Sequence, residues 1–178
     1  VHMKYSRFLA MIVTSTIAMF IMMYLNTYAI FHVWFSETRT YMALYMGAGM
    51  AIIMLAFMLG MYANKKVNTI IFIGAVALFA ICLYLVRSQT TISDSAYMKA
   101  MIPHHSIAIL TSERSNIEDA RVRELADGII KAQRKEIKEM EWLIKDIEQN
   151  GKLTSGSEAA KRPVPNFEGK VDKGRDDE

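Results

Sequence analysis

Three long apolar segments crowd into the first half of this chain, and few folds can accommodate them. Phe8 to Phe35, Tyr41 to Tyr62 and Val67 to Val86 each reach the roughly 20 residues that a spanning helix needs. A backbone in lipid must satisfy its own polar groups, so segments of this kind form helices rather than open strands. The expected fold is all-α: a membrane domain over residues 1–88, then a soluble helical part. The first segment is longer than one crossing requires and carries Asn26, Thr27 and His32 in its second half. It is expected to tilt, or to lift its last turns into the headgroups. Its length and the closely following spans argue against a cleaved signal peptide.

Loop charges give the orientation. Lys4 and Arg7 precede the first span, Lys65 and Lys66 join the second to the third, and Glu37 balances Arg39 in the remaining loop. The positive-inside rule then puts the N terminus in the cytoplasm. Three crossings put everything after Arg87 outside, as expected of a multi-pass protein of a bacterial-type inner (plasma) membrane with a periplasmic or extracellular domain. Trp34, Phe35, Tyr41, Tyr45 and Tyr84 fall where an outer aromatic belt would lie. The bilayer is one partner; nucleic acid is not, because a net charge of +3 without a basic stripe is too little. Cys82 is the single cysteine, so no intrachain disulfide forms, and its place in an apolar run makes it a small buried residue.

Met42, Met46, Met50, Met54, Met58 and Met61 recur along the second span. A step of four drifts by about 40° on a helix, so this stripe winds around it. Such a stripe either packs, since methionine is apolar and adaptable, or lines a path for Cu(I). His32 is likewise either an interfacial histidine or a ligand at the outer mouth.

After the spans, residues 92–150 read as a helical hairpin. Ser93 or Asp94 caps a helix running to about Ser115 and interrupted by Pro103. A turn at Ser115, Asn116 and Ile117 leads to a second helix, from Glu118 to Gln149, ended by Asn150-Gly151. Asp94, Met98, Met101 and His105 share one face of the first helix, with His104 about 100° away. The second helix carries a stripe of Val122, Ala126, Ile129, Met140, Leu143 and Ile147, widened by Ile130, Ile137 and Ile144 and broken by Gln133 and Glu136. A tight turn would set Met101 level with Gln133, Met98 with Glu136 and Asp94 near Met140. Polar groups in a helix interface need partners. The Gln/Glu break therefore reads as part of a metal site, as a buried polar pair that fixes register, or as Glu136 simply solvated at the stripe's edge.

Thioethers with imidazoles form a soft set that selects copper, Cu(I) above Cu(II). A di-iron site would use Glu-x-x-His and a zincin His-Glu-x-x-His; neither occurs. With no nucleophile elbow, phosphate loop or dinucleotide motif, the chain does not read as an enzyme.

The run Asp94-x-x-x-Met98-x-x-Met101-Ile102-Pro103-His104-His105-x-x-Ala108-Ile109 resembles the signature of the "domain of unknown function 305" family. Gln133, Glu136, Ile137 and Met140 continue it in outline, with Trp142-Leu143 closing it. The resemblance covers about residues 92–150 and leaves the spans outside. It implies a ferritin-like helical fold and, from members that bind copper outside the cytoplasm, the ligands Met98, Met101, His104, His105 and Met140. Thr111 stands where family members commonly have another methionine.

The expected function is copper sequestration or transfer by a membrane-anchored outer domain, with a copper-handling protein as a further partner. The competing reading is a non-enzymatic interaction module packed against another membrane protein. The wide stripe on the second helix predicts that hairpins pair into a four-helix bundle, as homodimers or larger homo-oligomers. Residues 151–178, rich in Gly, Ser, Pro, Lys and Asp, are expected to be disordered.

Overall fold

The computed structural model describes residues 4–171 and is all-helical, with no strand among those residues. It divides into two units, residues 1–25 with 36–92 and residues 26–35 with 93–178. The division differs from a simple split after residue 88, because a ten-residue piece between the first two spans belongs to the second unit.

In the first unit, α1 (Tyr5–Met22), α2 (Glu37–Phe57) and α3 (Lys65–Ser88) are each long and apolar enough to cross a membrane. α2 is central, packed against both α1 and α3. Ser36 caps α2 by accepting from the Arg39 N–H, and Asn64 caps α3 by accepting from Lys66 and Val67. Phe8, Ala51, Leu55, Tyr62 and Ala75 form the core. At the Lys65-Lys66 end, Tyr5 Oη donates to Asn68 Oδ1 at 2.8 Å, and Asn68 Nδ2 donates to the Tyr62 carbonyl at 2.9 Å. That polar latch ties the start of α1 to the α2–α3 turn. Of the α2 methionines, Met54 and Met58 pack on this core.

α1 approaches α2 closely at Gly47. A Cβ there would lie 2.2 Å from Thr16 Oγ1. Gly47→Ala should therefore destabilise the unit by about 1–3 kcal/mol through overpacking, despite its better helix propensity. Thermal unfolding in detergent should show the loss, and Gly47→Ala with Thr16→Ala should recover most of it.

The first apolar segment does not continue helically to Phe35. α1 ends at Met22, and a 3-10 turn at Ile30–His32 lies within the piece assigned to the second unit. The reason is chemical. Tyr28, His32 and Trp34 have partners on the hairpin, which a continuous spanning helix would forfeit.

The second unit is built on α4 (Asp94–Arg114) and α5 (Ala120–Asn150). Ser93 is the N-cap of α4, accepting from Ala96. Pro103 is buried inside an α4 that runs through it without a break. Gly151 ends α5 at φ 76°, where a side chain would be strained.

The packing register corrects the sequence reading. Glu136 meets His105 rather than Met98, a displacement of seven residues along α4, or about two turns. Glu113 pairs with Arg134 and Lys99 with Glu148, in the same displaced sense. A tight turn did not form. Asp119 caps α5 instead, and both Ser115 and Asp119 are extended. An extended connection lets α5 start farther from the end of α4. The buried face of α5 is Ala126, Ile130, Ile137 and Ile144, while Val122, Leu125 and Ile129 face outward. The residues taken as widening the stripe are its centre. Gln133 and Glu136 are partly exposed at its edge, not in the middle of the core.

Parts of the tail lie against α5. Arg134 donates to the Lys170 carbonyl and Lys138 Nζ to the Glu168 carbonyl at 2.9 Å. Gly169 lies so close to α5 that a Cβ would fall 1.8 Å from the Lys131 carbonyl oxygen. A one-turn helix α6 lies at Gly156–Ala159. The remainder of the expected disordered segment, 172–178, lies outside the described residues.

Candidate functional site

His105 is half-turned into the hairpin, with its side chain 12% exposed. Its Nδ1 lies 2.9 Å from the Met101 carbonyl oxygen one helical turn back. A carbonyl only accepts, so Nδ1 carries the hydrogen and donates. Nε2 then points at Glu136 Oε2, 2.6 Å away. Nε2 is the nitrogen presented for chemistry, and a backbone carbonyl fixes the ring orientation as in metal-ligating histidines.

Around this pair the sequence-expected residues separate into those gathered and those not. The His104 ring is exposed, its centroid 6.2 Å from that of His105. Met98 is buried in the hairpin core with Ile102, Ile109, Ile137 and Ile144, and Met140 packs against that cluster. Met101 is partly buried and holds His105 through its backbone. Asp94 is not drawn in, since Lys152 holds its carboxylate at 2.8 Å. Gln133 lines an open surface cavity with Arg121, Leu125, Gly128 and Ile129. Among the described residues, no three His, Cys, Asp or Glu side chains converge as a metal cluster.

The pairing that sequence reasoning missed is at Ser106. This fully buried hydroxyl accepts from the Tyr28 N–H at 2.7 Å and meets His32 Nδ1 at 2.8 Å. Tyr28 and Trp34 pack against the same hairpin core. Lys99 Nζ lies 5.8 Å over the Trp34 ring, and the Arg134 guanidinium 5.6 Å over Tyr28. Residues 26–35 thus clasp α4 beside His105. Arg134 joins the clasp, α4 and the tail through Tyr28, Glu113 and the Lys170 carbonyl. Nothing in the local pattern marks Ser106 as an acceptor. Only the polar Asn26, Thr27 and His32 hinted that this segment leaves the membrane.

Burial pushes the His32 pKa below its ordinary 6.5. The folded protein keeps this imidazole neutral, whereas the unfolded chain takes up a proton below 6.5. Stability from the clasp is complete above that value and is lost as pH falls through the lowered folded value. His32→Phe should flatten this part of the stability–pH curve, which paired unfolding titrations of mutant and wild type would reveal.

A family model described as "Domain of unknown function (DUF305)" matches residues 88–173. An uncharacterized protein of Acanthamoeba polyphaga mimivirus is 30% identical over 151 residues, 81% of this chain and 97% of that one. That match is longer than the family segment and reaches into the apolar region. No solved structure matches. Together, the family match and a relative aligned over nearly its whole length place the chain in the DUF305 family.

Proposed function

We propose that this is a membrane-anchored copper-binding protein whose outer hairpin holds Cu(I) for sequestration or transfer. The observation that carries the reading is His105: Nδ1 is committed to the Met101 carbonyl and Nε2 faces a partner it can exchange. The donor chemistry fits a soft cation. His104 and His105 supply imidazoles, while Met98, Met101 and Met140 supply thioethers that need no deprotonation. Glu136 places a carboxyl group beside Nε2, and a cation bound at Nε2 would displace any proton held there.

Three crossings would put the α1–α2 connection and the hairpin on one side, and residues 26–35 do pack on the hairpin. With Lys4, Arg7, Lys65 and Lys66 inside, that side is the outer face of a bacterial-type plasma membrane. A homo-oligomer would use Val122, Leu125 and Ile129, because Ile130, Ile137 and Ile144 are consumed within the hairpin. The same exposed face favours the second reading, an interaction module for another membrane protein.

Equilibrium dialysis of the full-length protein in detergent against copper and against zinc separates the readings. Copper retention that falls when His104 and His105 are both replaced by Ala supports the metal site. No retention, or equal retention by wild type and double variant, rejects it in favour of the interaction module.

A further inference from the structure

The segment at residues 26–35 is two-faced. Tyr28, His32 and Trp34 turn toward the hairpin, through Ser106, Arg134, Lys99 and the hydrophobic core. The remaining large side chains are exposed: Ile30 is 88% exposed, Phe31, which also borders a cavity with His32, Ile109 and Ile137, 70%, Val33 45% and Phe35 65%. Four large apolar residues within six positions form a concentrated patch of the kind that marks an interaction surface. Its backbone is pinned by the Ser106 bonds and the 3-10 turn, so this patch is held outward rather than exposed by fraying.

We propose that Ile30, Phe31, Val33 and Phe35 form a wedge that enters the headgroup–acyl boundary of the bilayer, and that the hairpin is thereby fastened to the membrane surface through the opposite face of the same segment. Chain continuity selects the occupant. Leu25 precedes the segment, three residues past the end of α1, and Ser36 follows it as the cap of α2. Both flanking helices are long and apolar enough to span, so neither end of a ten-residue piece strays far from the leaflet where they terminate. An apolar, aromatic surface at that depth matches the chemistry of the interface, where ring side chains concentrate. The hairpin is then tied to the leaflet through this segment and not held on a free tether.

The inference rests on the membrane reading of α1 and α2, and its test keeps the two apart. The full chain carrying Cys82→Ala and Phe31→Cys would be labelled with an environment-sensitive fluorophore in phosphatidylcholine–phosphatidylglycerol vesicles. Thr111→Cys, on an exposed position of α4, supplies the comparison. At Phe31, strong quenching by a nitroxide shallow on the acyl chain, with several-fold weaker quenching by aqueous iodide and the reverse at Thr111, supports the wedge. Iodide quenching at Phe31 equal to that at Thr111 overturns it. Probe–probe excimers between copies at Phe31 also overturn it, since a second copy would then cover the patch. Ile30→Cys repeats the measurement should the Phe31 variant fail to assemble. Extraction of the protein by alkaline carbonate would overturn the spans themselves and the wedge with them. Retention together with an aqueous Phe31 probe overturns the wedge alone.

Discussion

Ser106→Ala should cost the second unit about 2–4 kcal/mol, more than its small change in volume suggests. Removing the hydroxyl strands the Tyr28 N–H, which has Ser106 Oγ as its acceptor at 2.7 Å, and takes away the His32 partner at 2.8 Å. A buried polar group left unpaired costs roughly 1–3 kcal/mol, and here two lose a partner together. The loss should be local. Amide exchange in residues 26–35 should rise sharply, while α1, α2 and α3 keep their protection. A denaturation midpoint within about 0.5 kcal/mol of wild type, the range of a neutral surface change, would mean that the clasp does not hold the segment.

The second large effect concerns binding, not stability. Leucine nearly conserves methionine's volume, so Met101→Leu and Met140→Leu should each cost less than about 1.5 kcal/mol of folding. Each would nevertheless remove a thioether. Loss of an outer-shell partner typically lowers metal affinity about 10–100-fold, and loss of a direct ligand should cost at least as much. Competition titration with a Cu(I) chelator on the intact protein should show that decrease with the thermal midpoint nearly unchanged. Affinity unaffected by either change would assign both side chains to packing, the role that Met54 and Met58 have in the membrane unit.

Much of this architecture was readable in the residues, and the places where reading stopped have physical causes. The spans announce themselves by apolar length, α4 by its Ser93 cap and α5 by Gly151, since each is a local property. Register is not local. It depended on whether the residues between Arg114 and Ala120 turned tightly or ran extended, and the extended form moved Glu136 from Met98 to His105. Residues 28–35 look like more apolar span, and their partner Ser106 has no distinguishing neighbour; only the folded hairpin brings them together. The contacts of the tail are illegible for another reason: Lys138 and Arg134 donate to the backbone carbonyls of Glu168 and Lys170, which composition cannot register. Of the residues read as candidates, Glu136 lies against His105, while Lys152 holds the Asp94 carboxylate, a contact between distant residues that no local pattern announces.

The most direct test of the central claim is X-ray absorption at the copper edge on the full-length protein loaded with Cu(I). The expected spectrum shows a mixed first shell of imidazole nitrogen and thioether sulfur. The nitrogen contribution should fall in His105→Ala and the sulfur contribution in Met101→Leu or Met140→Leu. A wild-type shell of light atoms alone, or one unchanged by all three substitutions, would contradict a Met/His copper site in this hairpin.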